Sequence, residues 1–254
     1  TVIQAYQNLA NQKNYHMSFA SQSSLSVQGK AVNVVARGEC DVQSKPLLCR
    51  NTMNITIEAA AQKREQTIVQ YIEEADHQLT VYSYANNQWL KQSLPSYNPL
   101  NEYDNYFQAI TSVNPVREDA DSAVFEVIVK GSYLKENLKN VMAMTGMPKL
   151  DLSENLLNNL GDFNYLVTVD KKASLVAKID IDLSQLMPII GNGLAMAPEI
   201  PDDQKTIIRE MFDNLRVTSV INFYPNNNPE KIIIPAAAKT AAANITWPSN
   251  LPQS

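Results

Sequence analysis

Cys40 and Cys49 are the chain's only cysteines, nine positions apart around a Ser-Lys-Pro stretch. Thiols so placed could ligate a metal, exchange electrons or staple a hairpin. A metal needs further ligands, and the two histidines, His16 and His77, stand at no ligand spacing from either cysteine. Redox exchange favours a Cys-x-x-Cys pair, which is absent. A structural disulfide is the expectation, with free thiols and metal or redox chemistry as the other readings. A persistent disulfide implies an oxidising compartment.

The remaining polar candidates read as structure. His77 lies in "EEADHQ" with Glu73, Glu74 and Asp76, a group able to meet a cation but also the composition of a solvated turn. His16 opens a strand, with no nucleophile motif and no acid at a fixed spacing. Asp180 and Asp182 alternate onto one strand face, as two solvent-facing carboxylates do. There is no Gly-x-Ser-x-Gly, no phosphate-binding glycine loop and no His-Glu-x-x-His. The expectation is therefore no catalysis, no metal and no cofactor.

The elements that must position the cysteines are two alternating runs. In "AVNVVARGECDV" the apolar residues are even-numbered (Val32, Val34, Ala36, Cys40, Val42), and in "CRNTMNITIEA" they are odd (Cys49, Met53, Ile55, Ile57, Ala59). A register whose partners sum to 89 sets Ala36 against Met53, Val34 against Ile55 and Cys40 directly against Cys49. Directly opposed residues at a non-hydrogen-bonded pair have Cα atoms about 4.5 Å apart, within disulfide reach.

Further alternating runs follow at 66–90, 122–130, 163–170, 174–183, 215–224 and 231–235, and describe one large antiparallel sheet. The strands around Ala75-Asp76 are apolar on both faces, so both faces need cover. A turn is expected at Asn86-Asn87, and a three-residue bulged turn around "DKKAS". Helical periodicity appears at 1–12, 99–111, 134–144 and 202–215. The apolar segment 183–203 is interrupted by Pro188, Gly191, Gly193, Pro198 and Pro201, and reads as a lid or flap. Methionine adapts to varied apolar partners, so Met142, Met144, Met187, Met196 and Met211, with Ile189, Ile190 and Leu194, are the candidate lining of an apolar cavity. Core filling explains the same residues.

A net charge of -5, with no run of lysine or arginine, removes the footprint of a nucleic-acid binder. No apolar stretch reaches the roughly 20 residues that span a bilayer. Because the chain opens inside an amphipathic pattern (Val2, Ile3, Tyr6, Leu9), an export or anchoring segment upstream of Thr1 is expected.

The opening "YQNLANQKNYHMSFASQSSLSVQGKAVNVVARGE", then "YSYANNQWLKQ", "VTVDKKASLVAKIDIDL" and "NPEKIIIPAAAKTAA" resemble, in order, the landmarks of uncharacterised Gram-positive cell-surface lipoproteins. That family is similar to the group containing the lipoprotein localisation factor LolA and the mycobacterial lipid carrier LppX. The resemblance implies an antiparallel sheet curled into an incomplete barrel, helices on its concave side, an apolar cavity between them and a lipidated cysteine before Thr1. The Cys40/Cys49 pair and the 183–203 segment depart from the pattern.

Together these readings predict a single α+β domain over 1–254, a large curved antiparallel sheet with helices on the concave face, monomeric, extracytoplasmic and tethered to the cell envelope by a lipid anchor. Its expected role is to hold a lipid or acylated molecule. The alternative is an envelope protein–protein interaction module with a packed interior and no ligand.

Overall fold

The computed structural model describes residues 1–27, 30–59, 62–75, 78–95, 107–133, 161–196, 200–226 and 230–241. Eleven strands form one open antiparallel sheet. They are β1 (Asn14–Val27), β2 (Lys30–Ser44), β3 (Leu47–Ala59), β4 (Gln62–Ala75), β5 (Gln78–Ala85), β6 (Gln88–Pro95), β7 (Ile110–Glu118), β8 (Ser122–Val129), β9 (Phe163–Asp170), β10 (Leu175–Asp182) and β11 (Arg216–Pro225). Their order is β6-β5-β4-β3-β2-β1-β11-β10-β9-β8-β7, so two meanders meet where the first strand pairs with the last. Helices among the described residues include α1 (Val2–Ala10), α2 (Met187–Ala195), α3 (Asp202–Asp213) and α4 (Ala236–Lys239). The expected large open antiparallel sheet with accompanying helices is thus the architecture found.

Alternation sorts side chains onto two faces. The inner face carries Tyr15, Val42, Cys49, Val127, Val167 and Val169, all buried in the main core. Helix α1 lies there because Val2, Ala5, Tyr6 and Leu9 recur at helical spacing and are all buried. Full burial of a large apolar side chain stabilises by about 1.5–3 kcal/mol. Thr1 caps the helix by accepting a bond from the Gln4 amide at 3.2 Å. Its hydroxyl-bearing Tyr6 meets Tyr165 oxygen to oxygen at 3.3 Å. Burial pushes the Tyr165 phenol well above its ordinary range.

The outer face mixes polar residues with apolar ones such as Val35, Val124, Leu166 and Val220, and it carries an apolar cluster at one corner. There Leu48, Val69, Tyr71, Tyr82 and Trp89 are covered by Ile232, Ile234 and Ala238 of the closing segment. The two-sided apolar character of β4 and β5 is answered in this way, but it places α4 on the face opposite α1, so the helices do not all share the concave side. Residues 231–235, expected as a strand, have no regular structure and act as this cover.

Three other expectations are corrected. The β2–β3 partners sum to 91, not 89: Cys40 faces Asn51 and Val42 faces Cys49. The turn is Lys45-Pro46, with Ser44 against Leu47. A register summing to 89 would bring Pro46 into the ladder opposite Gln43 without an N–H to give. A shift of two keeps every side chain on its face, so the expected faces stand while the partners differ. Within the 183–203 segment, residues 187–195 are helical: Pro188 sits in the first turn, where its missing N–H costs nothing, and Gly191 lies against Phe212, where a Cβ would come within 2.3 Å of the Phe212 Cβ. At "DKKAS" the turn spans four residues, 171–174, and the irregularity falls inside β10 between Val176 and Lys178. The expected Asn86-Asn87 turn is present, both residues having positive φ.

Candidate functional site

The feature that stands out is the far half of the inner face. Across β1 to β4 the register brings Phe19, Gly38, Met53 and Ile68 into one row, Ser21, Ala36, Ile55 and Gln66 into the next, and Ser23, Val34, Ile57 and Arg64 into a third. Phe19, Val34, Ala36, Met53, Ile55 and Ile68 are half-buried, and Ile57 is 40% exposed. Among the described residues β4 pairs with β5 only from Val69 onward, so that Gln62–Ile68 leave this trough open along one side there. Lys63, Arg64 and Glu65 charge that free edge, which discourages strand addition. The ring of Phe19 lies over Gly38, where an added Cβ would come within 2.4 Å of Cζ.

One row deeper, the trough gives way to packed core through a polar line. Cys40, Asn51, Gln70 and Ser83 stand side by side on β2, β3, β4 and β5. Asn51 Nδ2 donates to Gln70 Oε1 at 3.2 Å, and Gln70 Nε2 donates to Ser83 Oγ at 3.0 Å. Asn51 Oδ1 is screened from water and accepts nothing.

Cys40 and Cys49 are buried, each 7% exposed, and both are free thiols. They are diagonal neighbours on adjacent strands, not opposed ones, so the expected disulfide is absent and the compartment argument drawn from it lapses. The adjoining Cys49 thiol, and then burial, push the Cys40 thiol far above its usual range. A thiol held neutral is a poor nucleophile.

The sequence-derived cavity residues are only partly gathered. Met142 and Met144 lie outside the described residues. Met187 is buried and Ile190 packs against the main core with Phe212. Ile189, Leu194 and Met211 are half-buried, whereas Met196 is 74% exposed at the end of α2. Helices α2 and α3 pack together, and α3 touches β1.

His16 has the acid partner that spacing could not reveal. The β1–β2 register places it opposite Asp41, and Nδ1 lies 2.9 Å from Asp41 Oδ1 on the outer face. The Tyr224 ring is 5.9 Å away. The next hydroxyl on that face of β1, Ser18, instead accepts from Asn222 at 3.2 Å. Beside the pair is a solvent-facing groove of about 540 Å³ lined by Lys13, Asp41, Lys45 and Lys231. A second outer groove, about 310 Å³, is bordered by Glu126, Asn164, Leu166, Asp180 and Asp182. Asp180 pairs with Lys178 at 2.7 Å. Asp182 accepts from the Ser184 amide at 2.8 Å, and bonds from Ser184 hold its carboxyl below the usual range. Glu73 accepts from the Tyr82 hydroxyl at 2.6 Å, while Asp76 and His77 lie outside the described residues. Among the described residues no cluster of three or more His, Cys, Asp or Glu could hold a metal ion.

No curated protein matches the sequence. Among solved structures, a DUF1329 family protein from Desulfovibrio piger is similar at 9% identity over 88% of this chain and 90% of that one, with a TM-score of 0.26, too slight a likeness to argue from. The model of a family of unknown function, DUF6612, matches residues 2–243. Spanning nearly all of the sheet and its helices, that match makes this chain a member of the DUF6612 family.

Proposed function

We propose that this protein is a non-catalytic binding protein of the cell envelope that holds an apolar ligand, a lipid or acylated molecule, against the inner face of its sheet. The observation that carries the reading is the trough. A soluble sheet gains about 25 cal/mol for each Å² of apolar surface withdrawn from water, so a half-open apolar face beside a packed core is where a greasy ligand would settle. The resemblance of the sequence to LolA- and LppX-like lipoproteins supports the same class of ligand, an extracytoplasmic location and a lipid tether before Thr1. Binding by apolar burial is broadly unselective, which suits a carrier or sensor.

Native mass spectrometry of protein purified without detergent tests this directly. A bound apolar mass is expected, together with uptake of the fluorescent probe N-phenyl-1-naphthylamine that Ile57→Asp suppresses. Protein that is always found at its bare mass and never takes up the probe would overturn the reading in favour of an interaction module without a ligand.

A further inference from the structure

We infer that the ligand presents a hydrogen-bond donor, a hydroxyl or amide N–H, to Asn51 Oδ1 at the inner end of the trough. This rests on the apolar-ligand reading above and narrows its chemistry. Three side chains form a one-way line, with Asn51 donating to Gln70 and Gln70 donating to Ser83. The line consumes donors and leaves its terminal acceptor unused and out of contact with water. Buried acceptors without partners are rare, and leaving one unpaired carries a desolvation cost that an arriving donor removes.

The position of this oxygen matters as much as its vacancy. Cys40 faces it across β2, and its neutral thiol belongs to the packed core. On the other side of it along β3, Met53 and then Ile57 lead outward, exposure rising to 40% at Ile57. Asn51 therefore stands where core becomes trough, about 20 Å of strand from the outer row. Methionine is flexible enough for Met53 to swing and admit a group to the oxygen. A ligand entering polar end first would bond Asn51 and lay its chain over Met53 and Ile57. Saturated hydrocarbon alone would leave the oxygen unpaired, so an amphiphile is favoured over an alkane or wax.

The test uses a matched pair, hexadecanol and hexadecyl methyl ether, each displacing N-phenyl-1-naphthylamine from the intact protein. The alcohol donates and the ether only accepts. In the parent protein the alcohol is expected to bind about five-fold more tightly, the worth of one neutral hydrogen bond. In Asn51→Leu the preference disappears while the probe still binds. Equal affinities in the parent, or a preference that survives Asn51→Leu, would overturn the inference and leave the apolar site standing. Failure of the probe to bind at all would sink both. If Asn51→Leu folds poorly, Asn51→Asp, whose carboxylate accepts more strongly, takes its place and is expected to widen the preference, an unchanged preference overturning the inference.

Discussion

The ring of Phe19 on β1 covers Gly38 on β2, filling the space where a side chain on residue 38 would stand. The glycine is thus part of the trough floor, and its missing Cβ is what lets an aromatic lie flat there.

A methyl group at this point meets both the Phe19 Cζ at 2.4 Å and the Thr52 carbonyl oxygen at 2.6 Å. The ring can turn away, but the backbone oxygen cannot move without bending β3. Gly38→Ala is expected to destabilise the protein by about 1–3 kcal/mol, the usual effect of overpacking. Urea unfolding followed by circular dichroism would measure it, and unchanged stability would mean that β3 yields freely.

Tyr82 and Glu73 make stability depend on alkaline pH. Burial, and then the bond to Glu73, push the Tyr82 phenol from its ordinary 10.0 up to about 12. A folded value above the unfolded one means that the stabilisation is complete below pH 10 and is lost as pH rises through 12. Thermal melts between pH 9 and 12 should show this loss. Tyr82→Phe should flatten it, and should cost about 1.5–3 kcal/mol at neutral pH by removing a hydrogen bond to a charged group.

The β7–β8 turn responds to acid. Asp119 accepts from the amides of Ser122 at 2.7 Å and Asp121 at 3.0 Å, and from the Ser122 hydroxyl at 2.9 Å. The Ser122 bonds, followed by that from Asp121, hold its carboxyl below the ordinary 3.8. Its contribution is present above that value and fades as pH falls through the depressed one. Protection factors of the β7 and β8 amides, taken against the intrinsic exchange rate at each pH, should fall below pH 4, and Asp119→Ala should lower them in the same way at neutral pH.

Gly191 sets the approach of α2 to α3. A Cβ there would stand 2.3 Å from the Phe212 Cβ. Alanine is the better helix former by about 1 kcal/mol, yet Gly191→Ala is expected to destabilise because the overpacking of 1–3 kcal/mol is the larger effect. A raised melting temperature in Gly191→Ala would show that the hairpin opens without cost.

Face by face, much of this fold was legible. Alternation at Val32–Ala59 assigned both strands and both faces, because burial on one side enforces period two. Partner identity was less accessible, since a shift of two preserves the pattern and only the place of Pro46 in the turn separates the registers. The His16–Asp41 pair was hidden for a related reason. It depends on how β1 aligns with β2, which no fixed spacing encodes. The helix at 187–195 is hard to see in the sequence because proline and glycine break helices in general, whereas here one occupies the first turn and the other a close helix contact. The trough's residues on β2 and β3 fall within alternating runs, but their openness follows from how far β4 outruns β5 among the described residues, a property of lengths, not composition.

The pairing of β1 with β11 has a consequence for how the protein is made. Phe19 finds Ile221 only after roughly two hundred intervening residues have left the ribosome, and contacts so distant along the chain are slow to form. Until then the flank of β1 is a raw seam, exposing backbone groups that a neighbouring nascent chain could capture. Newly synthesised molecules of this protein therefore have reason to be kept apart, or escorted, until the final strand arrives to close the seam.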